Sequence, residues 1–236
     1  MLWRDFSLVV PHGGGEVATR KTFAAIMRGV AITHLFDVGA NVGTFSWPAI
    51  NLTPDLEVYL FEPDLVNIKL LKETINENQL GHVHLWEGVV ARQAGEVEFT
   101  LDPASGAAGS IKDFSANVTS LQVQYGMSRR RKVCATTLDN YLELPDSGGA
   151  RVFLKIDVEG AEGDVLEGGR AFVQKFRPVM IVECFETKSL EPVRGMNYSA
   201  FDLRENGNVL LVPAEQIAKL LELKIISREM PVPAGW

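Results

Sequence analysis

Apolar positions along this chain switch repeatedly between two periods. Glu16 to Gly29 carries Val17, Phe23, Ile26, Met27 and Val30 at helical spacing and stops at a glycine, which predicts a helix with one buried face. His34-Leu-Phe-Asp-Val38 is a short apolar run ending at Gly39 and reads as a strand buried on both sides. Leu56 to Phe61 reads as a second strand. Asp64 to Asn78 follows as a helix, with Leu65, Ile68, Leu71 and Ile75 on one face, Asp64 as N-cap and Pro63 in the preceding loop. Val83 to Trp86 is a third strand. Glu96 to Leu101 alternates Val97, Phe99 and Leu101 against polar partners, the mark of a half-exposed strand. Asn117 to Tyr125 and Lys132 to Ala135 read as short strands and Leu138 to Leu142 as a short helix. Arg151 to Asp157 is a strand, Glu162 to Phe176 one helix, and Pro178 to Cys184 the next strand. Tyr198 to Leu203 and Asn208 to Val212, split by Glu205-Asn-Gly207, predict a hairpin, and Pro213 to Leu223 a last helix. Strands alternating with helices in this way call for an α/β fold, a mostly parallel sheet covered on both faces with right-handed crossovers.

Length and composition narrow the picture. The 236 residues suit one α/β domain with a short appendage, here divided as a helical appendage over 1–30 and a main domain over 31–236. Residues 102–131, turn-rich and small at Asp102-Pro-Ala-Ser-Gly-Ala-Ala-Gly109, are expected to form a lid or substrate loop. The net charge of −7 disfavours nucleic acid and anionic membranes as partners and favours a small ligand or a polymer end. Cys134 and Cys184 lie far apart in apolar runs and read as reduced thiols. The N-terminus lacks signal-peptide features and no run is long enough to span a bilayer, so the cytosol is the expected address. A homo-oligomer is left open.

The densest local signal is Phe36-Asp-Val-Gly-Ala-Asn-Val-Gly43, which follows a predicted strand and opens a predicted helix. Ligands of open α/β sheets bind at such strand ends. Gly39 and Gly43 remove side chains where a ligand would approach the backbone, and the helix beginning near Gly43 points amide donors at the cleft. The dinucleotide fingerprint needs a glycine where Asn41 stands. Asp37 would repel a pyrophosphate but attract an ammonium. Glu62, at the end of the second strand, can accept from both hydroxyls of a ribose. Loop and acid together describe a nucleoside carrying an amino acid.

Lys155-Ile-Asp-Val-Glu-Gly-Ala-Glu162 is the second cluster. Lys155, Asp157 and Glu159 alternate with apolar residues and so share one side of an extended segment. They form either a functional mouth or a structural ion-pair network. With Thr137-Leu-Asp139, Phe61-Glu-Pro63, Val165-Leu166, Gly168, Arg177-Pro178 and Val182-Glu183 in matching order from about residue 35 to 185, the chain resembles the FkbM family of methyltransferases dependent on S-adenosyl-L-methionine (SAM). The resemblance implies a Rossmann-like class I fold, with a seven-stranded sheet and a C-terminal antiparallel hairpin. It implies SAM contacts at Asp37, Gly39, Ala40, Asn41, Gly43 and Glu62, adenine near Glu87-Gly88-Val89, and O-methylation of sugars, polyketides and similar small or surface molecules. The family's position after Glu183 often carries a polar residue or histidine; here Cys184-Phe185 stand there.

Within that frame Asp157 is the first candidate for the base or acceptor-positioning group, Lys155 for its orienting cation, and Glu159 and Glu183 for alternative bases. No metal is expected. Arg129-Arg-Arg-Lys132 reads as a solvated loop entering a strand or as an anion-capturing run. His82 and His84 are expected on one side of a strand without a third ligand. Trp47 and Trp86 are expected in the core or at a cofactor's edge. The competing readings are an NAD-dependent oxidoreductase on a similar sheet, which Asn41 and Asp37 oppose, and a non-catalytic SAM-binding domain.

Overall fold

The computed structural model describes residues 16–101, 129–144, 149–233 and 236. The strand expected over Asn117–Tyr125, and the expected lid or substrate loop up to residue 128, lie outside the described residues.

The main sheet has seven strands in the order β3-β2-β1-β7-β8-β10-β9: β1 (His34–Val38), β2 (Glu57–Phe61), β3 (Val83–Trp86), β7 (Val152–Ile156), β8 (Val179–Glu183), β9 (Tyr198–Asp202) and β10 (Asn208–Pro213). β3, β2, β1, β7 and β8 pair in parallel, while β10 runs antiparallel to both β8 and β9, which is the C-terminal hairpin. This is the doubly wound arrangement the alternation calls for, with a switch in strand order at β1 and β7.

Side chains of β1 divide by period two between two cores. On one face Leu35, with Leu60, Phe153, Ile181 and Leu210, packs against Phe23, Ile26 and Met27 of α1 (Val17–Gly29), Ala49 of α2 (Ser46–Leu52), Leu71 of α3 (Leu65–Glu77) and Leu220 of α6 (Ala214–Glu222). On the other, Phe36 and Val38 with Leu154, Ile156 and Val182 pack against Val165 and Leu166 of α4 (Glu162–Glu167) and Phe172 and Val173 of α5 (Arg170–Phe176). Phe36 is fully enclosed, stacked on Tyr59 at 4.6 Å and met edge-on by Phe172 at 4.8 Å; truncating such a ring removes about 3–5 kcal/mol.

Several features depart from the sequence reading. The helix expected over Glu162 to Phe176 is two helices, broken at Gly168-Gly169. A Cβ on Gly168 would collide with the carbonyl of Ala91, and one on Gly169 would meet the Leu138 side chain, so the packing of neighbouring segments decides the break. Asp139 then caps α5 from outside, accepting from the amides of Phe172 at 2.8 Å and Ala171 at 3.4 Å. Second, the helix expected to open near Gly43 starts at Ser46, after a run of turns. Third, β4 (Val89–Val90), β5 (Gly95–Leu101) and β6 (Arg129–Thr136) form a separate three-stranded sheet in the order β4-β6-β5 around Val89, Phe99 and Val133. The basic run is therefore a paired strand and not a loop: Arg131 lies opposite Phe99 and Lys132 opposite Glu98. His82 sits in the turn before β3 rather than on the strand with His84, and His84 pairs with Glu57 at 2.8 Å. Asp64 does cap α3, accepting from Val66 and Asn67.

Candidate active site

The tips of β1, β2, β7 and β8 meet at the switch point of the sheet, and the signalled residues converge there. Gly39 and Ala40 donate their amides to the carbonyl of Phe61 at 3.0 and 3.1 Å, which folds the glycine loop back over β2. The amides of Asn41 and Asp64 then donate to Oε2 and Oε1 of Glu62, each at 2.7 Å. Every carboxylate oxygen has two lone-pair directions, and with Asn67 as a third donor Glu62 retains one of its four. Burial pushes Glu62 up to about 7, against the lowering effect of those amides and of Asn67.

Gly39 has φ +79°, and a Cβ there would strike the backbone carbonyl of Asp157. Its glycine is dictated by how closely β1 and β7 converge. Gly43 has φ +84° and lies under the indole of Trp47, whose Nε1 donates to the Val42 carbonyl at 2.7 Å. Here too the small residue serves the protein's own packing, and Trp47 belongs to the core. Gly88 and Val89 stand where β3 hands over to the second sheet. The Trp86 carbonyl accepts the Glu62 amide at 3.1 Å, so this segment borders the acid. The indole Nε1 of Trp86 is buried without a hydrogen-bond partner among the described residues.

A polar row crosses the strand tips on the face covered by α1 and α2. Strand register puts Asp37 beside Lys155 and Asn208 beside Glu183. Asp37, 1% exposed, accepts from Ser46 through Oδ2 at 2.6 Å, while its Oδ1 is buried without a hydrogen-bond partner among the described residues. Burial raises the Asp37 carboxyl above its usual range, against the pull of Lys155 and Ser46. Lys155, 3% exposed, places its ammonium 2.8 Å from Oδ2 of Asp157 and 4.6 Å from the centre of the Phe45 ring. Burial works to discharge it, but the charges of Asp157 and Asp37 outweigh burial and hold it protonated. For Asp157, likewise, burial is outweighed by Lys155 and by a hydrogen bond from Glu183, and its carboxyl lies below the usual range. Burial, that same hydrogen bond and the Asp157 charge push Glu183 up to about 9. Glu159 is raised by burial and by the charges of Asp157 and Glu162.

Glu159 is not on the strand. It follows β7 with φ +52°, yet Asp157, Glu159 and Glu183 each offer an oxygen within 4.8 Å of the others. A cation suits such a cluster, and the Lys155 ammonium lies 2.8 Å from one of its members, Asp157. Burial raises the Cys184 thiol to about 12, so it is no nucleophile at neutral pH. Ser46, Phe45 and Asn208 complete the row, and no local motif announces them; the period-two register that places Asn208 beside Glu183 requires knowing which strands pair.

α1 closes one side of this mouth. Glu205, in the β9–β10 turn, accepts the Thr19 amide at 2.8 Å, and the first amides of α1 hold its carboxyl below the usual range although burial opposes them. No described helix is long and apolar enough to cross a membrane.

Comparison with known proteins agrees with this geometry. A family model described as the methyltransferase FkbM domain matches residues 37–208. Among solved structures, a methyltransferase FkbM from Methylobacillus flagellatus superposes with TM-score 0.51 at 15% identity, over 76% of this chain and 43% of that protein. A caffeoyl-CoA O-methyltransferase homologue from Staphylococcus aureus superposes with TM-score 0.50 at 10% identity, over 89% of both chains. The chain thus spans less than half of the FkbM structure it resembles, and at these identities the likeness concerns the fold, that of class I methyltransferases. Comparison with curated proteins gave no match.

Proposed function

We propose, from the premise that this chain belongs to the FkbM methyltransferase domain family, that it binds SAM across the tips of β1 and β2 and methylates a hydroxyl oxygen of a sugar, polyketide or other small metabolite. The observation that carries this reading is the buried Oδ1 of Asp37, which has no hydrogen-bond partner among the described residues. A buried acceptor left unsatisfied is costly, and an ammonium at the end of an amino-acid tail is the donor that would satisfy it. Glu62 supports the same ligand, because its remaining lone-pair direction suits a ribose hydroxyl. The row also carries more carboxylates than cations, which favours a positively charged guest.

SAM, when bound, supplies an electrophilic methyl group. The chain must then align an acceptor oxygen and receive its proton. Asp157 suits that role, because Lys155 holds it ionised and its side chain remains 27% exposed at the mouth. Transfer would form the O–CH3 bond as the S–CH3 bond breaks and S-adenosylhomocysteine leaves, and Asp157 would receive the acceptor's hydroxyl proton and pass it to water. The base contributes roughly 10²- to 10⁴-fold. Phe185, 74% exposed just beyond Glu183, offers an apolar surface to the acceptor. The small-molecule or glycan acceptor, the absence of nucleic acid and membrane partners and a cytoplasmic site of action complete the proposal.

The test is calorimetry and turnover on the wild type and on Asp157→Asn. Binding of SAM and S-adenosylhomocysteine is expected to both proteins, with S-adenosylhomocysteine release over a panel of hydroxylated acceptors from the wild type only. No heat with either ligand in the wild type would refute the cofactor; unchanged turnover in Asp157→Asn would remove the base.

A further inference from the structure

We infer that Glu183 is a positioning residue for this site: it donates its carboxyl O–H to Asp157 and so fixes the direction in which the Asp157 carboxylate faces the acceptor hydroxyl. This rests on the methyl-transfer reading.

The geometry of the two strands comes first. β7 and β8 run parallel in register, with Ile156 beside Val182, so Asp157, the residue just after β7, comes beside Glu183, the last of β8. Each offers a carboxyl oxygen within 4.8 Å of the other's, and a hydrogen bond links the two side chains. Two ionised carboxylates have no donor and repel, so a hydrogen bond between them requires a proton on one. Lys155 decides which. Its ammonium lies 2.8 Å from Asp157, which makes Asp157 the better anion and leaves the proton with Glu183.

The surroundings reinforce this assignment. Glu183 is faced by Asp157 and Lys155 from β7, by Glu159 from the following loop and by Asn208 from β10. Cys184 is its chain neighbour, and Glu16 approaches Asn208 from α1 at 3.4 Å. Lys155 is the one cation among these named groups, and Asp37 shares it. A second negative charge at Glu183 would meet the carboxylates of Asp157 and Glu159 with only Lys155 to balance them, consistent with a proton held up to about 9.

The consequence is a carboxylate tethered at two points, by the Lys155 ammonium and by the Glu183 O–H. Its remaining lone pairs are the ones available to an acceptor. Deprotonating Glu183 would release one tether and place a like charge against it, so turnover should fall as pH rises through about 9.

The experiment combines a ¹³C-carboxyl NMR titration of glutamate-labelled protein with pH profiles of S-adenosylhomocysteine release, for the wild type, Glu183→Gln and Glu183→Ala. The expected results are a glutamate resonance titrating at about 9 in the wild type and absent from Glu183→Gln. The alkaline fall in kcat should be lost in Glu183→Gln, whose amide still donates. Glu183→Ala should lose about ten-fold or more in kcat, more than Glu183→Gln, with SAM affinity retained. A wild-type Glu183 titrating in the ordinary carboxyl range, or a Glu183→Gln profile no different from that of Glu183→Ala, would overturn the inference. Wild-type protein that shows the high titration but methylates no acceptor would overturn the positioning role through the functional reading instead, so the two failures are distinguishable.

Discussion

Replacing Lys155 with methionine tests the electrostatics of the site independently of any ligand. Methionine keeps the apolar stem and its contact with Phe45 but deletes the ammonium. At the 2.8 Å separation from Asp157, with an effective dielectric of about 20, the attraction being removed is about 6 kcal/mol. Desolvation of the buried lysine already offsets part of that in the wild type. What the variant loses is the penalty of stranding Asp157 and Asp37 without their shared counter-charge, about 3–5 kcal/mol for a buried pair. The partial exposure of Asp157 places the expected loss near the lower end, about 3 kcal/mol. Urea unfolding at neutral pH measures it. The pH dependence adds a second check. In the wild type Asp157 is held below its usual 3.8, so its stabilising contribution is complete above that value and is lost as pH falls through the folded one. In Lys155→Met both aspartates titrate higher, and the gap between variant and wild type should narrow as the solution is acidified. Adding Asp157→Asn to the variant should restore part of the loss by neutralising the stranded charge. A Lys155→Met protein within about 1 kcal/mol of the wild type, at neutral pH and with no pH dependence in the difference, would refute the assignment of Lys155 as the counter-charge.

Two other predictions use different parts of the molecule. Glu62→Gln should weaken SAM binding by about ten-fold or more, since hydrogen bonds to a charged acceptor contribute about 1.5–3 kcal/mol each. In the wild type, a ribose donor favours the ionised acid, so calorimetry in buffers of different ionisation enthalpy should detect proton release on binding near and below pH about 7; affinity independent of pH there would argue against the contact. Asp139→Ala removes the cap of α5 and should lower stability by about 1 kcal/mol, a fall in Tm of about 2–4 °C for a chain of this size; an unchanged melting curve would mean that water replaces the carboxylate.

Much of the architecture was legible because it rests on local pattern. The period-two runs and the helical spacings locate the strands and helices of the main sheet, and Asp64 caps α3 by a rule that operates within four residues. The residues Asp37, Glu62, Lys155 and Asp157 were legible for a related reason. Acids and a lysine embedded in apolar strand ends have to be paired or functional, and the fold gathers them at one mouth. What was not legible depends on contacts between distant segments. The Gly168-Gly169 break follows from the approach of Ala91 and Leu138, the cap on α1 comes from Glu205, 186 residues away, and the cap on α5 comes from Asp139. The glycines of the first motif carry the same lesson from the opposite side. Their spacing suggested room for a ligand, whereas Gly39 makes room for the carbonyl of Asp157 and Gly43 for the indole of Trp47. Bringing β1 against β7 is what sets Asp37, Lys155 and Asp157 close enough to share one charge balance. That balance, more than the loop, is the property on which the proposed chemistry depends.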